Sequence, residues 1–155
     1  MQPVDYFYTE SMFSKATEYA LRATIFIAQK GSEENKLGID EISKAIDSPP
    51  SFTAKILQNL TRSNIVSATR GPHGGFFISE KGKKLPARNI LLAMGEDNVL
   101  EKCVLGLKMC SELQPCPMHA RYKPIRQQLK KLFITKTIKQ LASEIKDGVV
   151  FISNV

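Results

Sequence analysis

Residues 65–79 read IVSATRGPHGGFFIS, and this stretch decides the fold. Two short runs rich in β-branched and aromatic residues, Ile65 to Thr69 and Phe76 to Ser79, flank the hexapeptide Arg70-Gly71-Pro72-His73-Gly74-Gly75. Glycine supplies positive φ and proline fixes φ near −65°, so the hexapeptide can reverse the chain in a short space. The pattern predicts a β-hairpin with a cationic tip. Upstream, Ala16, Ala20, Ala23 and Ile27 recur at helical spacing, with Leu21, Thr24 and Ala28 alongside. They predict a first helix capped by Ser14 and closed by Gly31. Ile39, Ile42 and Ile46 mark a short second helix with Gly38 at its N-cap. Asp47-Ser48-Pro49-Pro50 is a turn in which Ser48 can cap the next helix. A third helix is expected over 51–62, burying Phe52, Ile56, Leu57 and Leu60. Three helices followed by a hairpin is the order of a winged helix-turn-helix.

The rest of the chain extends this head. Residues 80–84 read as a linker, and 86–94 as a fourth helix. After Pro117 the apolar positions Tyr122, Ile125, Leu129, Leu132 and Phe133 make the stripe of a long helix, with Pro124 expected in its first turn. A short helix is expected over 138–145. The fold class is therefore mainly α with a small β-hairpin wing, followed by a long dimerisation helix. Four segments are expected: an unstructured extension over 1–11, a DNA-binding head over 12–85, a cysteine-bearing sensor loop with dimerisation helices over 86–145, and a tail over 146–155. The tail reads as a strand or as a packed extended end.

Composition narrows the function. The chain has 155 residues, 43% hydrophobic and 24% charged, which suits one hydrophobic core. No apolar run is long enough for a membrane span, and no secretory leader pattern opens the chain, so a cytoplasmic location is expected. The net charge is +7, from 22 Lys+Arg against 15 Asp+Glu. That balance favours a polyanionic partner, most simply double-stranded DNA. In a helix-turn-helix the N-terminal residues of the second helix of the motif meet the base edges. Here they are Ser51, Phe52, Thr53, Ala54 and Lys55. Arg70, Gly71, His73 and Gly74 form the tip that would approach the minor groove or the phosphates. Gln58 and Asn59 follow one turn on, near the backbone.

All three cysteines and one of the two histidines lie in CVLGLKMCSELQPCPMH, Cys103 to His119, with spacing C-x6-C-x5-C-x2-H. Three thiolates and an imidazole in one segment broken by glycine and proline suit a soft metal or an iron–sulfur centre. Zinc is compatible with three cysteines and a histidine, although these spacers are longer than those of common structural zinc sites. The alternatives are cysteines as small buried apolar residues or thiol switches, and His119 as a helix cap. A cysteine nucleophile, Cys116 or Cys110 with His119 as base, would mean an enzyme. Without an oxyanion or phosphate-binding motif, the chain is not expected to be one.

The motifs Met12-Phe13-Ser14-Lys15, Tyr19-Ala20-Leu21-Arg22 and Thr69 to Phe76 resemble the Rrf-type winged-helix transcriptional regulators, over roughly 12–142. Members include an iron–sulfur cluster regulator, a nitric-oxide sensor and a cysteine-metabolism regulator. The wing of that family usually reads R-G-P-G-G-G-Y; this chain has His73 and Phe76 at the two departures. The resemblance implies a homodimer formed through the long helix, binding a near-palindromic operator, and acting most simply as a repressor. It places Ser51, Ala54 and Lys55 at base-reading positions and Arg70 on the wing. It also implies an iron–sulfur cluster on Cys103, Cys110 and Cys116, two-iron before four-iron, with His119 as the fourth ligand. Cys103 and Cys110 are one residue further apart than in the cluster regulator. Glu18 is a second candidate for the fourth ligand, because the nitric-oxide sensor uses a carboxylate at this position from the partner subunit. Clusterless members imply an alternative in which thiols, a partner protein or zinc set the activity.

Overall fold

Ser14 starts the first helix as a hydrogen-bond acceptor: its Oγ takes the Thr17 N–H at 3.2 Å. The computed structural model describes residues 11–145 and 150–153. From that cap, α1 runs Lys15–Lys30, followed by α2 (Ile39–Ile46) and α3 (Pro50–Arg62). Asp47 takes left-handed φ and ψ of 54° and 55° at the C-cap of α2, which turns the chain sharply into α3. Pro50 sits in the first turn of α3, where its missing N–H costs nothing. Pro49, not Ser48, is the N-cap residue, and no side chain caps this end. Ala20, Ala23, Ile27, Ile42, Ile46, Ile56, Leu57 and Leu60 close the core between these three helices.

The wing is an antiparallel pair, β1 (Ser67–Thr69) and β2 (Gly75–Phe77), in the register Ser67 to Phe77 and Thr69 to Gly75. It is shorter than the expected runs. Ile65, Val66 and Ile78 turn inward to the core instead of extending the ladder. A third segment joins it: Leu37 exchanges hydrogen bonds with Phe76, N–H to O at 2.9 and 2.8 Å. Gly75 makes this approach possible. Its φ is +146°, and a Cβ there would stand 2.7 Å from the Leu37 carbonyl oxygen. The expected linker contains a short helix, α4 (Glu80–Lys83), capped by Ser79 Oγ on the Gly82 N–H at 3.1 Å.

Beyond the head, α5 (Arg88–Ala93) and a 3-10 turn (Asp97–Leu100) lead into the cysteine segment. The long helix α6 (His119–Thr135) starts at His119, so Pro124 falls in its second turn rather than its first. The helix α7 (Ile138–Glu144) opens with a reciprocal capping box between Thr137 and Gln140. It returns to the head: Ala87 N–H bonds Lys136 O at 2.9 Å, Ile138 N–H bonds Leu85 O at 3.0 Å, and Ile138 and Ala142 enter the head's core. A second cluster of Ala87, Leu91, Leu100 and Phe133, with Phe13, Leu21, Leu129 and Leu141 against it, docks α6. The apolar stripe foreseen for α6 is thus divided. Leu129 and Phe133 face the head, while Ile125 and Leu132 are 61% and 48% exposed.

The expected extension over 1–11 lies outside the described residues except for Ser11, and the tail is described only at 150–153. Those four residues are in neither helix nor strand, and Phe151 to Ser153 lie beside Glu18, Leu21 and Arg22. Among the described residues no helix is long and apolar enough to cross a membrane.

Candidate DNA interface and cysteine centre

The third helix presents Ser51, Lys55, Gln58 and Arg62 on one exposed face, with Ala54 half-buried beside them. Phe52 is half-buried rather than buried; its ring meets Tyr19 edge-on at 5.7 Å and so fastens the start of α3 to α1. Thr53 is a correction to the expected DNA-contacting set. It is fully buried, and its Oγ1 lies 3.1 Å from both the Pro49 carbonyl oxygen and Ser48 Oγ. Its hydroxyl is turned back onto Pro49 and Ser48 and is closed to solvent. At the wing tip Arg70, Gly71, Pro72 and His73 are exposed, and Gly74 is half-buried. A Cβ on Gly74 would lie 2.4 Å from the Thr69 carbonyl oxygen, so only glycine fits this reversal.

The cysteine segment wraps the start of α6 and brings its four candidate ligands together as two pairs. Cys103 Sγ lies 3.7 Å from Cys116 Sγ, and Cys110 Sγ lies 3.3 Å from His119 Nδ1. All three cysteines are free thiols. Among the described residues no three of the potential ligands converge on one point. Cys103 is buried, and its thiol is held below the ordinary cysteine range. The main cause is the Leu105 backbone hydrogen bond; burial opposes it, and Leu107, Cys116 and Arg126 add to it.

Arg126 and Glu112 are neighbours of Cys110 and His119 that sequence reading missed. Arg126 lies against Cys110, and that contact is the chief cause of a guanidinium pKa raised above its ordinary value. One of its nitrogens, Nη1, is buried with no hydrogen-bond partner. Arg126 follows His119 by seven residues, two turns of α6, so helical spacing alone places the two on one face. Glu112 pairs with Lys123 and lies 3.5 Å from His119 Nε2. Nε2 is itself buried without a hydrogen bond. No sequence signal points to Glu112, because it belongs to an irregular loop.

Glu18 sits apart from the cysteines of its own chain. Its carboxylate is bonded by Ser11 and paired with Lys15 at 3.4 Å, and it lines a surface groove with Arg22 and Phe151. The Ser11 hydrogen bond is the main reason its pKa falls below the carboxylate norm. The contact with the start of α1 comes from a residue ahead of the loop, just before the 3-10 turn. Glu96 accepts the Ser14 N–H at 3.1 and 3.2 Å and the Ser14 hydroxyl at 3.1 Å.

Comparison with known proteins agrees with this architecture. A protein of Aquifex aeolicus (strain VF5) assigned as an HTH-type transcriptional regulator is 30% identical over 132 residues, covering 84% of this chain and 90% of that one. The HTH-type transcriptional regulator IscR of Photorhabdus laumondii is 21% identical over 125 residues, covering 81% of this chain and 75% of its own. The structure of CymR, the global cysteine regulator of B. subtilis, superposes with a TM-score of 0.66 at 20% identity, covering 86% of this chain and 98% of that one. That likeness establishes the winged-helix fold. The two curated relatives are named as transcriptional regulators, as is the family below, and the reading of Cys116 or Cys110 as a nucleophile falls away with them. The family model for Rrf2, described as an iron-dependent transcriptional regulator, matches residues 13–144, and the chain belongs to the Rrf2 family.

Proposed function

We propose that this chain is a cytoplasmic, homodimeric repressor that binds a near-palindromic operator, and that an iron–sulfur cluster on Cys103, Cys110 and Cys116 sets its affinity, with His119 or Glu18 as fourth ligand. In this reading the head, 12–85, binds DNA through Ser51, Ala54, Lys55 and Arg70, and 86–145 senses and dimerises. The observation that carries the cluster is the pairing of its ligands. Two sulfurs on one tetrahedral ion with bonds of about 2.3 Å stand roughly 3.8 Å apart, and a sulfur and a ring nitrogen stand roughly 3.5 Å apart. Cys103 with Cys116 at 3.7 Å and Cys110 with His119 at 3.3 Å are close to those spacings. Two such pairs suit a two-iron centre, in which each iron takes two protein ligands, better than a single zinc ion. The exposed Ile125 and Leu132 of α6 support a dimer, since they present an apolar strip on a helix already docked by its other face.

When bound, the cluster supplies a labile, redox-active group. The chain's own residues do the rest. The Cys103 thiol is held below the ordinary cysteine range, and Arg126 lies against Cys110, where its positive charge would offset that of a bound cluster. The segment they hold is preceded by the 3-10 turn and Glu96, which grips Ser14, the N-cap of α1. From α1, Tyr19 meets Phe52 at the start of the DNA-reading helix. An ordered or released cysteine segment would therefore bias the setting of α3.

The test is the visible spectrum of protein purified without oxygen, with iron and sulfide quantified. The expected result is a coloured protein with about two irons and two sulfides per chain, and loss of the colour in Cys110→Ala. Colourless protein after anaerobic reconstitution would remove the cluster and leave the thiols themselves as the sensing groups.

A further inference from the structure

A groove of about 410 Å³ runs between α3 and the wing. Its α3 wall is Ala54, Gln58, Thr61 and Arg62, on successive turns of the helix; Ala68 and Phe76 of the hairpin and Ile39 of α2 complete it. The groove opens on the same face as the exposed Ser51 and Lys55. It is apolar at one end and amide- and guanidinium-lined at the other. No acidic residue lines it, whereas the neighbouring depression at the α2–α3 turn is lined by Asp40 and Asp47. An apolar patch ringed by an amide and cations, with no carboxylate, complements the major-groove edge of a base pair and the phosphates beside it.

We infer that this groove reads an A·T pair in the major groove, with the thymine 5-methyl group seated on Ala54, Ala68 and Phe76 and the Gln58 carboxamide, expected from sequence beside the backbone, paired instead with adenine N6 and N7. This rests on the DNA-binding reading above and gives it a base preference. The chemistry is selective. Thymine alone carries a methyl group in the major groove, and a carboxamide matches the donor–acceptor pair of adenine and no other base edge. Side chains at the position of Ala54 decide the fit, because the alanine methyl leaves the apolar end open where a longer or charged residue would fill it. Arg62, at the far end of the same row, is placed for the phosphate that follows.

The experiment selects binding sites from a library of duplexes with a random 30-base-pair core, using the full chain both as anaerobically purified and after chelator treatment. Each thymine of the enriched duplex is then replaced singly by deoxyuridine, which removes only the methyl group. One thymine in each half-site is expected to lose about fourfold in affinity on that replacement, the value of one buried methyl group. Gln58→Ala, a change at an exposed position, is expected to erase the preference for adenine in the same pair, a loss of about 5- to 150-fold for the preferred duplex. Arg70→Ala serves as the control and lowers affinity without changing that preference. An enriched site with no uracil-sensitive thymine, or an unchanged base preference in Gln58→Ala, overturns the inference and leaves DNA binding in place. If neither form of the chain enriches any duplex, the DNA-binding reading fails and the groove assignment fails with it.

Discussion

Gly75→Ala places a methyl group where the wing meets the segment before α2, and its cost follows from two separate terms. The first is backbone strain. Gly75 has φ of +146°, a region that L-residues rarely adopt, at about 1–3 kcal/mol. The second is the contact with Leu37. The new Cβ would stand 2.7 Å from the Leu37 carbonyl oxygen and 3.0 Å from Lys36 Cβ, so Leu37 must move away. Moving it breaks the two hydrogen bonds it exchanges with Phe76, worth about 0.5–1.5 kcal/mol each. The sum is about 2–6 kcal/mol. For a chain of this size that lowers the melting temperature by roughly 4–24 °C. Gly71→Ala is the internal control. Gly71 also has positive φ, +103°, but a Cβ there meets nothing within 4 Å. It carries the strain without the collision. Thermal unfolding of both variants at one protein concentration, followed by circular dichroism, should show Gly75→Ala less stable than Gly71→Ala by about 1–3 kcal/mol, the worth of the two lost bonds. Equal destabilisation would refute the claim that Leu37 is the third element of the wing.

Two further outcomes test the joints between the cysteine segment and the head. Burial works against the charge of Glu96, but the hydrogen bonds from Thr17 and Ser14 prevail and hold its carboxyl below its ordinary value of 4.5. A depressed pKa stabilises the fold above the unfolded value and ceases to do so as pH falls through the folded one. Glu96→Gln should therefore be less stable than the parent at neutral pH, with the gap closing below about pH 4.5 in urea titrations; a gap independent of pH would show that the carboxylate charge is irrelevant. Phe133→Ala removes a ring that is 9% exposed and edge-on to Phe13 at 5.6 Å, and should cost about 3 kcal/mol, the lower end of the range for buried phenylalanine. A loss below about 1 kcal/mol in denaturant unfolding would mean that α6 is not docked by this cluster.

The legible parts of the fold were those written in local spacing. Apolar residues at helical intervals announced α1 to α3, and the Gly-Pro tip announced the hairpin, because both signals lie within a few residues of the structure they cause. What escaped depends on partners distant in sequence. Leu37 joins the wing across 39 residues, and nothing around it marks a strand. Ile65, Val66 and Ile78 look like ladder residues but belong to the core. Thr53 looks like a groove contact because hydroxyls suit bases, yet it falls on the buried face of α3 and its hydroxyl is turned back to Pro49 O. The cysteines were visible as a group but not as pairs. A loop without helix or strand has no register, so spacing alone cannot say that Cys103 meets Cys116 and Cys110 meets His119. Arg126 is the exception that sequence could have supplied, since helical repeat fixes its face once His119 is taken as the start of α6.

In the proposed mechanism, the magnitude of coupling required argues for α1 as a whole, not one contact, as the element between the cysteine segment and α3. A useful regulatory change in affinity corresponds to about 1–3 kcal/mol between sites. The edge-on pair of Tyr19 and Phe52 contributes about 0.5–1.5 kcal/mol, so its loss alone reaches only the lower part of that range. Tyr19 is further held by Arg22, whose guanidinium lies 4.8 Å from the ring centre and donates to the Ile46 carbonyl oxygen at the end of α2 at 3.0 Å. Both helices of the DNA-reading motif are therefore gripped from one turn of α1, while Glu96 grips the N-terminus of the same helix. In that mechanism, a helix held at its N-cap by Glu96 and one to two turns later by the contacts to α2 and α3 would sum these small terms. In the proposed mechanism that summation, and not any single side chain, supplies the energy difference between the two DNA-binding states.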